Sequence, residues 1–152
     1  GGVTLEEREH AAGMVIEAGF DHRRVRAQRL QRLAGHGAVL EHERGAGPGL
    51  GANLNIPLPK GTGDDDYIRA LGEAEKAIRA FAPGALVVAL GLDASERDPL
   101  AGLAVTTDGF RRIGAAIAQL GLPTVLVQEG GYLSDILGAN LTAALGGFEE
   151  AR

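Results

Sequence analysis

Residues Ala85–Gly91 read ALVVALG and run directly into the loop GLDASERDPL at 91–100. A continuous apolar run of this length, between a helix stop and a polar loop, is the pattern of a strand buried on both faces of a parallel sheet. A second run, Thr124–Gln128 (TVLVQ), leads into Glu129-Gly130-Gly131-Tyr132. Between them, Asp108–Leu120 places Phe110, Ile113, Ile117 and Leu120 at helical spacing, and Gly121-Leu122-Pro123 turns the chain. Upstream, Tyr67, Leu71, Ala74, Ile78 and Phe81 mark one face of a helix that starts at Asp64-Asp65-Asp66 and stops at Pro83-Gly84. Three acids suit that start, because a helix N-terminus favours anions. Asn53–Pro59 (NLNIPLP) alternates like a strand, and Pro57 and Pro59 confine it to an edge or an extended passage. Tyr132–Phe148 reads as a last helix. The order β–α–β–α–β–α predicts a three-layer α/β fold with a largely parallel sheet.

Composition agrees. At 152 residues and 15.7 kDa the length prior is one domain. Gly (24) and Ala (25) make up almost a third of the chain, while aromatics are 4% and Trp is absent. Gly has no three-residue period, so this is not collagen, and 45% hydrophobic residues exclude a disordered chain. The absence of cysteine excludes a disulfide scaffold, a thiolate metal site and a thiol nucleophile. No apolar run approaches the ~20 residues of a membrane span. Gly1–Glu9 lacks the basic start and apolar centre of a signal peptide, so the cytoplasm is the expected compartment. A net charge of −5 argues against nucleic acid as a general partner.

Charge and histidine are unevenly spread. Residues 1–52 are neutral overall, and residues 53–152 carry all of the −5. The four histidines, His10, His22, His36 and His42, lie in the first 42 residues. In that region residues 4–18 read as a helix, with Thr4 and Glu7 as a capping box. Residues 21–34 read as a second helix capped by Asp21, with Arg23, Arg26, Arg29 and Arg32 in a row. Gly35–Gly51 reads as loop. Residues 1–43 are therefore an unassigned, helical segment, set apart from 44–152.

Ligands of open parallel sheets sit beyond the carboxyl ends of the strands. Two groups stand there: Asp93 after the first buried run and Tyr132 after the second. A strand-end carboxylate suits a hard or borderline metal ion. A strand-end aspartate is more often a helix cap or a loop hydrogen-bonder. Gly130 and Gly131 allow close backbone approach and unusual dihedrals, and a phenol beside them can donate to a developing oxyanion. A tyrosine after glycines can also simply start a helix and pack.

The segments NLNIPLPKGTGDDDY, ALVVALGLDASERDPLAGLAVTTDGF and PTVLVQEGGYLSDILGAN resemble, in order, consecutive parts of the histone deacetylase / acetylpolyamine amidohydrolase family. The resemblance is strongest to its bacterial and class II-like members and covers roughly residues 44–150. It implies an arginase/deacetylase-like three-layer αβα fold, here incomplete. It also implies zinc-dependent hydrolysis of N-acetylated amines such as acetyl-lysine or acetylpolyamines. Asp93 matches a zinc-ligating aspartate, Tyr132 the catalytic tyrosine, and Gly130 and Gly131 the glycines of the pocket wall.

The chain departs from that pattern upstream. No His-His pair occurs, and no Asp-x-His-His-Gly motif. Asp21-His22-Arg23 has the wrong spacing, and His22, His36 and His42 read as ordinary loop or solvent-facing histidines. Matched residues supply one zinc ligand where a catalytic site needs about three. The resulting expectation is the C-terminal part of a deacetylase, truncated or inactive alone. The alternatives are a binding module using the arginine row, or a deacetylase-derived scaffold that forms homo-oligomers through uncovered strand edges.

Overall fold

The computed structural model describes residues 15–21, 24–32, 44–99 and 102–152. The four histidines and Arg23 lie outside these residues, as do most of the expected 4–18 helix and residues 35–43 of the expected loop.

Five strands form one sheet in the order β3-β2-β1-β4-β5. They are β1 (Val15–Asp21), β2 (Arg24–Arg32), β3 (Asn53–Leu58), β4 (Leu86–Gly91) and β5 (Thr124–Glu129). β2 pairs parallel with β3, and β4 parallel with β5. β1 runs antiparallel to both of its neighbours, so four of the five strands point the same way. The largely parallel sheet read from the sequence is present.

Where the first two strands overlap the helices expected over 4–18 and 21–34, they correct them. Residues 15–18 and 24–32 are strand. Local helix preference there is weak, and it yields to ladder hydrogen bonds on both sides of each strand. β1 is paired between β4 and β2, and β2 between β1 and β3.

β3 lies at the sheet edge, as its prolines require. Three helices follow: α1 (Asp64–Phe81), α2 (Thr107–Ala118) and α3 (Leu137–Glu150). α1 carries its three acids in the first turn and ends at Ala82 in the left-handed conformation (φ 53°), just before Pro83. Tyr67, Leu71 and Ile78 of α1, Leu86 and Val88 of β4, and Phe110, Ile113 and Ile117 of α2 share one buried core. Val87, Val125 and Val127 lie on the other side of β4 and β5, and all three are exposed. The described part is thus a sheet with one helical layer.

α2 and α3 come very close. A Cβ on Gly114 would collide with the carbonyl oxygen of Ala144, and one on Gly147 with that of Arg111. Asp64 joins the starts of α1 and α2. Its Oδ1 accepts from Thr106 N at 2.8 Å and its Oδ2 from Thr106 Oγ1 at 2.6 Å. Thr106 in turn caps α2 by accepting from Gly109 N.

Candidate active site

β4 and β5 lie side by side and parallel, with Gly91 opposite Glu129, so both carboxyl ends open at the same edge. That register brings the loops of Asp93 and Tyr132 together. Asp93 sits in a short 3-10 turn, Leu92–Ala94, and is buried. The polar loop expected after β4 is largely buried where the structure describes it. Leu92, Asp93, Ala94, Ser95, Asp98 and Leu103 are all buried.

Gly130 and Gly131 have φ of 60° and 81°, the left-handed region that favours glycine. A Cβ on Gly130 would stand 2.6 Å from Cγ and Oδ1 of Asp93. A Cβ on Gly131 would stand 2.7 Å from Leu92 Cβ and from Leu137 Cδ1. Both glycines thus line the Asp93 turn: a side chain at 130 would meet the Asp93 carboxylate, and one at 131 would meet Leu92 and Leu137.

Tyr132 does not begin a helix, contrary to the expectation of a helix from 132. α3 starts five residues later, at Leu137. Tyr132 instead lies in a loop, and its backbone N–H donates to Asp98 Oδ2 at 3.2 Å. Its side chain is partly open to solvent, and the residue is 40% exposed.

Sequence reasoning assigned no role to the residues that tie these loops together. Arg97 NH2 pairs with Asp135 Oδ2 at 2.8 Å. Asn140, 1% exposed, donates from Nδ2 to Ser95 Oγ at 3.1 Å and accepts from Thr107 Oγ1 at 2.7 Å. The one available signal was a lone amide inside the apolar run ILGANLTAAL.

Similarity to known proteins follows the same residues. The family described as histone deacetylase domain matches residues 35–148. An acetylpolyamine amidohydrolase of Burkholderia pseudomallei is 48% identical over 115 residues, which are 76% of this chain and 34% of that protein. Acetylpolyamine amidohydrolase 1 of Pseudomonas aeruginosa is 42% identical over 109 residues, 72% of this chain and 32% of that one. The crystal structure of the Burkholderia acetylpolyamine aminohydrolase superposes with a TM-score of 0.71, covering 74% of this chain and 33% of that chain. The chain belongs to the histone deacetylase family, and its fold is of the arginase/deacetylase type. It spans about a third of the length of the curated relatives it matches.

The family raises the question of zinc. Among the described residues, no three His, Cys, Asp or Glu side chains form a group that could hold a metal ion. Asp93 has the chemistry and burial of a ligand, but one carboxylate is not the set of about three that a catalytic zinc needs. The described residues therefore do not make up a zinc site by themselves. Also among them, no helix is long and apolar enough to cross a membrane.

Proposed function

We propose that this chain carries one side of the active site of a deacetylase acting on N-acetylated amines, acetyl-lysine or acetylpolyamines. In this reading Asp93 is one ligand of a zinc ion whose other ligands lie outside the described residues. Tyr132 donates a hydrogen bond to the amide oxygen as it becomes an oxyanion, an effect of about 2.7–4 kcal/mol per donor in other hydrolases. Gly130 and Gly131 form the wall between them. The observation that carries the reading is the closeness of Gly130 to the Asp93 carboxylate, on the loop that presents Tyr132. The cytoplasm remains the expected compartment.

Two assays test this. The purified chain with added zinc should show no turnover of acetyl-lysine peptide or acetylspermidine above background. Robust turnover, abolished by a chelator and by Tyr132→Phe, would show that the chain contains its own complete ligand set. In a chimera where residues 44–152 replace the matching third of the Burkholderia enzyme, turnover should appear and be lost in Asp93→Asn and in Tyr132→Phe. A folded, metal-loaded chimera that stays inactive would overturn the assignment of Asp93 and Tyr132.

A second reading, an oligomerising scaffold, is favoured by one observation. Val87, Val125 and Val127 are exposed on adjacent strands at the β5 edge of the sheet. Exposed apolar patches of this kind promote association. Sizing chromatography decides it: a clean monomer at high micromolar concentration would end this reading.

A further inference from the structure

We propose that Asp98 is a positioning residue, whose buried carboxylate holds the Tyr132 loop in place through the Tyr132 backbone N–H. The inference rests on the reading of Tyr132 as the oxyanion donor, and it adds how that donor is held.

The need for an anchor follows from the loop. Two consecutive glycines precede Tyr132, both at positive φ, and glycine has more backbone freedom to lose than any other residue. Leu133, next along, is 95% exposed, so packing does not hold the loop there. Beyond the tightly packed glycines, specific bonds must hold the chain.

Three contacts join 95–98 to 132–140, and they run in opposite order along the two segments. Asp98 meets Tyr132, Arg97 meets Asp135, and Ser95 meets Asn140. The Arg97–Asp135 pair is exposed, and such pairs contribute little. The Ser95–Asn140 bond is buried but holds the first turn of α3, eight residues beyond Tyr132. Asp98 acts at Tyr132 itself. It is 6% exposed, and a buried carboxylate is costly unless hydrogen-bonded. A bond from a backbone N–H to a carboxylate is also stronger than a neutral one. Pro99 follows Asp98 and biases it toward extended backbone, which limits where the carboxylate can go.

The test uses the 152-residue chain, labelled with nitrogen-15, and the variants Asp98→Asn and Asp98→Ala. Amide exchange and heteronuclear relaxation are read at Tyr132, with Val88 and Ile113 as core references. In the wild type, the Tyr132 amide is protected and ordered. Asp98→Ala lowers its protection roughly tenfold and loosens residues 130–133, while the core references hold. Asp98→Asn, which keeps an acceptor oxygen, restores most of the protection. Equal Tyr132 protection in wild type and Asp98→Ala would overturn the proposal. So would Asn failing to rescue in a folded chain. If Asp98→Ala does not fold, an unprotected Tyr132 amide in the folded wild type overturns it, and protection there that persists in Asp98→Asn supports it. None of these readouts depends on turnover, so failure of the catalytic reading would show separately, in the Tyr132→Phe assay.

Discussion

The backbone of Gly130 lies against the carboxylate of Asp93, so closely that a Cβ on Gly130 would stand 2.6 Å from Asp93 Cγ. Real Cβ atoms do not approach other heavy atoms so closely. Gly130→Ala must therefore displace Asp93 or the loop, and must hold alanine at a φ of 60°. The left-handed conformation costs about 1–2 kcal/mol and overpacking about 1–3 kcal/mol. The variant should lose about 3 kcal/mol in urea unfolding. A loss below about 0.5 kcal/mol would contradict the close approach, since surface changes fall within that range.

Two other glycines separate packing from propensity. Gly114 sits where α2 meets α3, under the Ala144 carbonyl, whereas a Cβ at Gly72 in α1 would meet nothing within 4 Å. Gly114→Ala should destabilise the chain by about 1–3 kcal/mol through overpacking. Gly72→Ala should stabilise it by about 0.5–1 kcal/mol, because alanine loses less backbone entropy in a helix. Thermal melts of the two variants should move in opposite directions. Melts that shift the same way would show that the α2–α3 contact is looser than described.

Asp64 accepts two hydrogen bonds from Thr106, forty-two residues away. Bonds to charged groups contribute about 1.5–3 kcal/mol. Asp64→Ala removes both acceptors and should cost about 2 kcal/mol. Asp64→Asn keeps one acceptor oxygen and should recover part of the loss. The pair of denaturation curves checks this, and an Ala variant as stable as the wild type would deny the link between α1 and α2.

Glu75 in α1 is partly buried, and desolvation raises its pKa while Arg79 opposes the shift. A carboxyl with a raised folded-state pKa binds its proton more tightly in the folded chain. Folding therefore loses stability as pH rises from the ordinary glutamate range through the raised value, and the loss persists above it. Glu75→Gln removes that loss. Its melting temperature should exceed the wild type's at about pH 7 and converge with it at about pH 3, where Glu75 is protonated in both states. A stability difference independent of pH would contradict the desolvated environment.

Legibility in the sequence varied along the chain with the strength of local pattern. α1 has five apolar residues at steps of three and four, a triple-acid start and a Pro-Gly stop, and it was placed within a residue. β4 and β5 were equally clear, because a short continuous apolar run has few other homes in an α/β chain. Residues 24–32 carry no strong local pattern, and pairing with two neighbouring strands decided their structure. Tyr132 stands past a strand end, as its sequence context suggests, but the helix starts only at Leu137, and the Tyr132 N–H donates to Asp98, thirty-four residues earlier.

From Asn53 onward, the residues alone thus determined the strand–helix order, the positions of Asp93 and Tyr132 past two buried strands, and the glycines between them. Each depends on neighbours within a few positions, where steric and hydrophobic preferences act directly. Folding decided what depends on distant residues: that β1 runs against its neighbours, that Gly130 lies against Asp93, and that Asp98 receives the Tyr132 N–H. Such contacts form only when parallel pairing of β4 and β5 brings their two following loops to one edge, and no periodicity in the chain encodes that meeting.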